Sequence, residues 1–258
     1  MTWRAILAGL VILGAIAFTA QLASPRPQTP TLIVGAASDL QFAFEEIGPL
    51  FEAEKGVKVE FTFGSSGNLA QQIENGAPID VYASADRAYV DQLSSKGLVL
   101  ESTRQVYAIG RLALVGNKAA GWDPKRLEDL VSPLVKHIAL ANPDHAPYGR
   151  AARQALERTG IWEQVKPKIV YGENIRQAMQ FVQTGNAEAG IVALSIAGVP
   201  EVTSLIISES LYDPLRQEMA VVRGSLQEKP AREFVIFTSG PQARPIMKKY
   251  GFIVPGEP

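Results

Sequence analysis

Two short turns rich in small and hydroxyl residues carry the groups best suited to bind a ligand. Each turn follows an extended apolar run and precedes a helix-like segment, within residues 32–40 and 59–69. Ser38 and Ser66 stand where these helices would begin. The first N–H groups of a helix have no intrahelical acceptor, and the helix dipole favours negative charge there. The two turns therefore predict an anion-binding site.

Other polar residues have simpler interpretations. Each of the two serines could be only a helix N-cap, and Asp39 is expected to complement a helix dipole while pointing away from the anion. His137 and His145 lack the spacing of a metal site, and we expect a structural role for His145 near the rim of the pocket. Asp80 and Asp86 are expected to interact with Arg87 or with a turn. We expect no site for a free metal cation.

Common catalytic motifs are missing from the sequence. It contains neither a G-x-S-x-G nucleophile elbow nor a G-x-x-x-x-G-K-[ST] phosphate loop, and only two histidines could act as a base. We therefore expect a binding protein rather than an enzyme, with no cofactor.

Composition indicates a globular protein with a substantial core. The chain has 258 residues, 47% of them hydrophobic, and a formal net charge of −1, which suits one large domain or two lobes. A nucleic-acid partner is not expected, because phosphate-backbone binding needs clustered Lys and Arg. The sequence has no cysteine, so disulfides and thiolate metal ligands are excluded.

The first 30 residues are predicted to lie outside the folded domain. Arg4 is the only charge before a mainly apolar run over residues 5–20, and Pro25, Pro27 and Pro30 follow it. This order is typical of a secretory signal peptide, and the run is shorter than the roughly 20 residues that usually span a bilayer. We expect a periplasmic or other extracytoplasmic location, with the segment either cleaved or retained as an anchor.

From Thr31 onward, strand-like and helical segments alternate, which predicts an α/β protein with mostly parallel sheets. Strands are predicted at 32–37, 57–63, 79–84, 106–115, 137–141, 168–171, 189–194 and 218–222. Helices are predicted at 68–75, 85–96, 149–159, 174–184, 231–238 and 241–250, with another starting at 123–124. A first helix from Leu40 should be kinked or divided at Gly48-Pro49 and end at Gly56.

Two later turns, at 141–149 and 172–175, repeat the strand-to-helix arrangement of the first two. Ligands of open α/β sheets bind at the carboxyl ends of the strands, where such turns gather. Four turns could converge on one ligand if two α/β lobes face each other. The candidate crossings between lobes are 103–111 and 213–219, which predicts lobe 1 over 31–106 and 217–258 and lobe 2 over 107–216.

Seven segments in this order resemble the periplasmic molybdate-binding proteins of ABC importers. They are A-A-S at 36–38, F-G-S-S-G-N-L at 63–69, P-I-D-V-Y-A-S-A-D at 78–86, T-R-Q at 103–105, N-P-D-H-A-P-Y-G at 142–149, G-I-V at 190–192, and G-P-Q-A with K-Y-G-F near the C-terminus. The likeness covers residues 31–254. It implies a monomeric, two-lobed type II periplasmic-binding fold that closes over molybdate or tungstate and delivers it to an inner-membrane permease.

The resemblance also implies roles for individual residues. Ser38 and Ser66 match the family serines that donate through hydroxyl and backbone N–H groups. Tyr148 and Ile175 occupy positions at which the family uses the backbone N–H. These four positions would surround the anion.

The fifth family position differs in this chain. Many members have a tyrosine after G-I-V, whereas this sequence has Ala193, followed by Leu194 and Ser195. We expect either the phenol of Tyr148 or the hydroxyl of Ser195 to supply the lost donor.

Three alternative functions remain open at this point. The first is a receptor for sulfate, phosphate or another tetrahedral oxyanion, and the second is a membrane-anchored oxyanion sensor. The third is an enzyme. A cavity lined only by donors favours a fully deprotonated dianion, because a protonated phosphate would leave its own proton without an acceptor. Sulfate has no such proton and must be rejected by size.

Overall fold

Ten strands and eight α-helices form the part of the chain that the computed structural model describes, residues 31–256. The strands are β1 (Thr31–Ala37), β2 (Lys58–Gly64), β3 (Val81–Ser84), β4 (Gln105–Gly110), β5 (Leu112–Asn117), β6 (Ile138–Ala141), β7 (Ile169–Gly172), β8 (Ala189–Ala193), β9 (Val202–Ile206) and β10 (Leu215–Val221). The helices are α1 (Gln41–Lys55), α2 (Ser66–Glu74), α3 (Arg87–Ser95), α4 (Pro147–Arg158), α5 (Trp162–Val165), α6 (Ile175–Gln183), α7 (Glu228–Thr238) and α8 (Ala243–Lys249). The predicted signal or anchor, residues 1–30, lies outside the described residues.

The strands form two five-stranded sheets of matching design. The first has the order β2-β1-β3-β10-β4 and the second the order β7-β6-β8-β5-β9. In each sheet four strands run in one direction, and a single strand, β10 or β5, runs antiparallel to both of its neighbours. The expectation of two mostly parallel α/β units is confirmed. We call the first sheet with its helices the first lobe, and the second sheet with its helices the second lobe.

The chain passes between the lobes twice. Strand β4 ends in the first sheet at Gly110, and β5 begins in the second sheet at Leu112. The return path runs from Ile206 to Leu215. The predicted lobe limits, 31–106, 107–216 and 217–258, remain a prediction, while strand pairing in the first sheet extends to Gly110 and resumes at Leu215.

Helix α1 is continuous across Gly48-Pro49. Of the two expectations for this position, a kink or a division, the division is therefore wrong. Pro49 lies on the exposed face, while Phe44, Ile47 and Phe51 are fully buried. Burial of this apolar face outweighs the loss of one backbone hydrogen bond at proline. The helix ends as expected at Gly56, whose φ of +67° suits glycine.

Three other features differ from the prediction. The single strand predicted at 106–115 is two strands, β4 and β5, which lie in different sheets. Strand β9 was not predicted; it lies at a sheet edge with an alternating burial pattern, and five residues of that kind give a weak signal. The helix expected from Asp123-Pro124 is only a short 3-10 turn, Leu127–Val131. No helix within residues 31–256 is long and apolar enough to cross a membrane.

Aromatic rings fix the helices on the outer face of the first sheet. Phe51 on α1 and Phe234 on α7 meet edge-to-face, with centroids 5.2 Å apart, and Phe44 meets the same Phe234 ring at 5.8 Å. Such pairs contribute roughly 0.5–1.5 kcal/mol each beyond the area they bury. The C-terminal segment is thereby packed onto the beginning of the fold.

Candidate anion-binding site

Four strand-to-helix turns, two from each lobe, meet at one small cavity. It is lined by Ala37, Ser38, Asp39, Gly64, Ser65, Ser66, Ala85, Ala146, Pro147, Tyr148 and Ile175. The volume of the cavity is about 10 Å³, close to the roughly 10–15 Å³ that one water-sized group needs. Its size therefore suits a small solute.

The two serines of the first lobe present hydroxyl groups at this cavity. The Ser38 Oγ is buried and has no hydrogen-bond partner among the described residues. The Ser66 Oγ accepts a bond from the Ala85 N–H at 3.0 Å, which leaves its own proton available. The Tyr82 hydroxyl donates to the Ser66 carbonyl at 2.7 Å and holds the turn in place. Buried polar groups normally have partners, so the Ser38 hydroxyl points to a missing acceptor.

The two turns of the second lobe contribute helix N-termini. Tyr148 is the second residue of α4, after Pro147, and Ile175 is the first residue of α6. The Asn174 side chain caps α6 by accepting from the Gln177 N–H at 3.0 Å, which leaves the Ile175 N–H without an intrahelical acceptor. Both helix dipoles direct partial positive charge toward the cavity.

The structure therefore brings together Ser38, Ser66, Tyr148 and Ile175, but neither Ala193 nor Ser195 lines the cavity. The Ser195 hydroxyl donates to the Asp39 carbonyl at 2.7 Å. The Tyr148 phenol donates to the Asp39 Oδ2 at 2.9 Å. Both hydroxyls that were expected to replace the missing tyrosine are thus bonded to Asp39.

Asp39, which was expected to point away from the anion, lines the cavity and is 1% exposed. Its Oδ2 also accepts from the Gln217 amide at 2.6 Å, and its Oδ1 has no partner among the described residues. Burial raises the pKa of Asp39 to about 7, although the bonds from Gln217 and Tyr148 act in the opposite direction. The dominant cause is desolvation, which favours the neutral carboxyl.

The electrostatic character of the cavity comes from backbone dipoles. None of the described residues that line it is a Lys, Arg or His. Fixed N–H and O–H donors can surround an oxyanion that presents only acceptors, and they act more strongly where water is excluded.

The lobes touch directly at the edge of the cavity. The Gly67 N–H of α2 donates to the His145 carbonyl of the second lobe at 2.9 Å. The His145 Nδ1 lies 2.8 Å from the Ser65 Oγ, a second contact across the cleft. His145 thus lies at the rim, where it joins the two lobes.

A half-buried ion pair adds to this contact. The Arg150 guanidinium of α4 bonds to the Asp86 carboxylate at 2.6 Å and to the Tyr89 hydroxyl at 2.9 Å, both on the first lobe. Asp86 also caps α3 through the Ala88 N–H at 2.9 Å. The expectation that Arg87 would be the arginine partner of Asp86 is wrong: Arg87 pairs with Asp91 instead, and the partner of Asp86 is Arg150 from the other lobe.

Asp80 has a structural role away from the cavity. Its carboxylate accepts from the Ile33 N–H at 2.8 Å and from the Ser225 hydroxyl at 2.6 Å. No group of three or more His, Cys, Asp or Glu residues within 31–256 is arranged to hold a metal ion.

Two α/β lobes, joined by two crossings and meeting around a cavity at helix N-termini, define the class of two-lobed solute-binding proteins. Residues 32–253 match the family described as bacterial extracellular solute-binding protein, and the chain belongs to this family.

Relatives and solved structures agree with this assignment. The molybdate-binding protein ModA of Rhodobacter capsulatus is 34% identical over 245 residues, which is 93% of this chain and 94% of that relative. The solved periplasmic molybdate-binding protein of Azotobacter vinelandii superposes with a TM-score of 0.81 at 30% identity, covering 87% of this chain and 99% of that one. The sulfate-binding protein SubI of Mycobacterium tuberculosis shares the fold, with a TM-score of 0.73 at 16% identity over 88% of each chain.

Proposed function

We propose that this protein is an extracytoplasmic receptor that captures molybdate or tungstate between its lobes and delivers it to an ABC import permease. The observation that carries the proposal is the meeting of four helix-starting turns, two from each lobe, at one small cavity without a lining cation. The 34% identity to a molybdate-binding protein over most of both chains supports the choice of anion.

The anion is held by donors alone. Ser38 and Ser66 donate through their hydroxyl and backbone N–H groups, and Tyr148 and Ile175 through their backbone N–H groups. A fully deprotonated tetrahedral oxyanion has only acceptors, so each oxygen finds partners without a buried lysine or arginine. Ala193 contributes no donor, and we assign none to the Ser195 hydroxyl.

Capture and delivery follow from closure of the lobes. An anion bonded to turns of both lobes binds the closed arrangement more tightly than an open one, and it shifts the equilibrium by that difference. Flexing at the two crossings supplies the movement. A permease can then distinguish a loaded receptor from an empty one by its shape. No catalytic step is part of this function.

The proposal is tested by titration calorimetry with molybdate, tungstate, sulfate and phosphate as separate ligands, after removal of any co-purified anion. We expect tight, one-to-one binding of molybdate and tungstate and much weaker binding of sulfate and phosphate. Tight binding of sulfate or phosphate without a response to molybdate would show a receptor for another oxyanion.

The anchored-sensor alternative is tested by a second experiment, which measures membrane attachment and molybdate uptake. If the protein stays membrane-attached after export and supports no molybdate uptake when its permease is present, the anchored-sensor alternative replaces the transport role. We expect uptake of molybdate from the medium to depend on this protein.

A further inference from the structure

A buried carboxyl group in the wall of an anion cavity is the least expected feature of this molecule. Asp39 lines the cavity next to Ser38, with 1% of its surface exposed. It forms no ion pair with any cation within the described residues. An ionised Asp39 beside a bound dianion would place like charges together in a site that excludes water, which strongly disfavours binding.

We propose that Asp39 takes up one proton when the oxyanion binds, so that loading of the receptor is coupled to protonation of this carboxyl group. This inference rests on the proposed oxyanion-binding function. The proton comes from solvent and forms the O–H bond of a neutral carboxylic acid, and no other bond changes.

The unpaired oxygen of Asp39 suits a neutral carboxyl, although its two hydrogen bonds favour the ionised form. Its Oδ2 accepts from Tyr148 at 2.9 Å and from Gln217 at 2.6 Å, whereas its Oδ1 has no partner. The neighbouring Ser38 Oγ and Gln217 Oε1 are also buried without partners among residues 31–256. Protonation of the Asp39 Oδ1 replaces an acceptor that receives no hydrogen bond with an O–H donor. The unpaired oxygens nearby are potential acceptors for that donor.

The groups that face Asp39 do not offer it a counter-charge. The Tyr107 phenol of β4 and the Tyr148 phenol of α4 are neutral groups. Burial is the main cause that raises the pKa of each phenol, and the charge of Asp39 is the second cause. Gln217 of β10 and Ser195, after β8, are neutral donors.

Arg176 on α6 and His145 at the cleft have other contacts. The Arg176 guanidinium stacks over the Phe42 ring at 5.0 Å, and His145 is bonded to Ser65. The raised pKa of Asp39, about 7, agrees with a carboxyl group that is ready to accept a proton near neutral pH.

Proton uptake is measured by titrating molybdate into the protein at pH 8 in two buffers with different ionisation enthalpies. Molybdate is a dianion at this pH, so it contributes no proton. We expect uptake of close to one proton per anion. The dissociation constant should rise by up to tenfold per pH unit above the pKa of the free carboxyl, because one proton is linked to binding.

The matched variants are Asp39→Asn, which keeps the shape of a neutral carboxyl, and Asp80→Asn, which changes another buried acid of the first lobe. Asp39→Asn should take up no proton and bind molybdate with equal affinity from pH 6 to 9. Asp80→Asn should behave like the parent protein.

The outcomes separate this inference from the proposed function. Binding of molybdate by the parent without proton uptake overturns the role of Asp39 and leaves the receptor function intact. Uptake that persists in Asp39→Asn, as it would if His145 were the acceptor, also overturns it. If the parent binds neither molybdate nor tungstate at any pH, the receptor function itself fails. If Asp39→Asn does not fold, binding by the parent without proton uptake still overturns the role of Asp39.

Discussion

Gly67 is the position at which closure of the lobes can be blocked while each lobe stays intact. It is the second residue of α2, and its N–H donates to the His145 carbonyl across the cleft at 2.9 Å. A Cβ added here would lie 2.9 Å from both the His145 Cβ and the His145 carbonyl oxygen, which belong to the other lobe. The third close atom, the Tyr89 hydroxyl, is the end of a side chain that can move.

Gly67→Ala should therefore penalise only the closed arrangement. Overpacking of this kind costs about 1–3 kcal/mol, and loss of the hydrogen bond between the lobes costs about 0.5–1.5 kcal/mol. The sum of about 1.5–4.5 kcal/mol corresponds to a fall in molybdate affinity of about 10-fold to 2,000-fold. Within α2, alanine is a better helix former than glycine, so the first lobe itself is not weakened.

The assay combines three measurements on the parent, Gly67→Ala and a control. Calorimetry gives the affinity, X-ray scattering with and without molybdate gives the degree of closure, and thermal unfolding without ligand gives stability. Gly198→Ala is the matched control, because it lies on the second lobe with no heavy atom within 4 Å of the added Cβ. Parental affinity and closure in Gly67→Ala would refute the idea that the bound state has this contact between lobes.

The remaining predictions concern the cavity and its rim. Ser38→Ala and Ser66→Ala should each weaken molybdate binding by about 1–2 kcal/mol, or about 5-fold to 30-fold, as measured by calorimetry. Tyr148→Phe removes a bond that lowers the pKa of Asp39, so the midpoint of the pH dependence of binding should move to higher pH. Arg150→Met removes a partly exposed ion pair between the lobes and should weaken binding by less than about 1 kcal/mol, with the difference vanishing in high salt. Because the pKa of Asp39 is raised in the folded protein, its protonated carboxyl contributes stability that is fully present below about pH 4 and lost as the pH rises through 7. The melting temperature of the parent should therefore fall relative to that of Asp39→Asn between these two pH values.

The sequence predicted well those parts of the fold that are determined by residues close together in the chain. Ser38 and Ser66 follow apolar strands and precede helices, and this arrangement needs no knowledge of distant residues. Gly56, Gly76 and Gly97 end or follow helices with positive φ, as their positions predicted. The expected division of α1 at Pro49 is wrong. Whether a helix continues through a proline depends on what its buried face packs against, and those contacts are not visible in the local sequence.

The parts that could not be predicted depend on contacts distant in sequence. Asp39 was interpreted as a residue of a first helical turn, but its side-chain partners stand 109 and 178 positions away, at Tyr148 and Gln217. The resemblance identified a missing tyrosine at Ala193 and two hydroxyls that could replace it. Only the assembled lobes show that both hydroxyls are bonded to Asp39.

These contacts connect closure with the charge state of Asp39. The carboxyl lies on the first lobe, the Tyr148 phenol reaches it from the second, and Gln217 reaches it from β10, the strand that returns from one lobe to the other. Opening the cleft would remove the phenol and admit water, and both changes alter the balance between the ionised and the neutral acid. Water favours the ionised form, whereas closure over a dianion favours the neutral form. The same movement that encloses the anion therefore creates the conditions under which Asp39 must hold a proton, and release of the anion on opening allows that proton to leave.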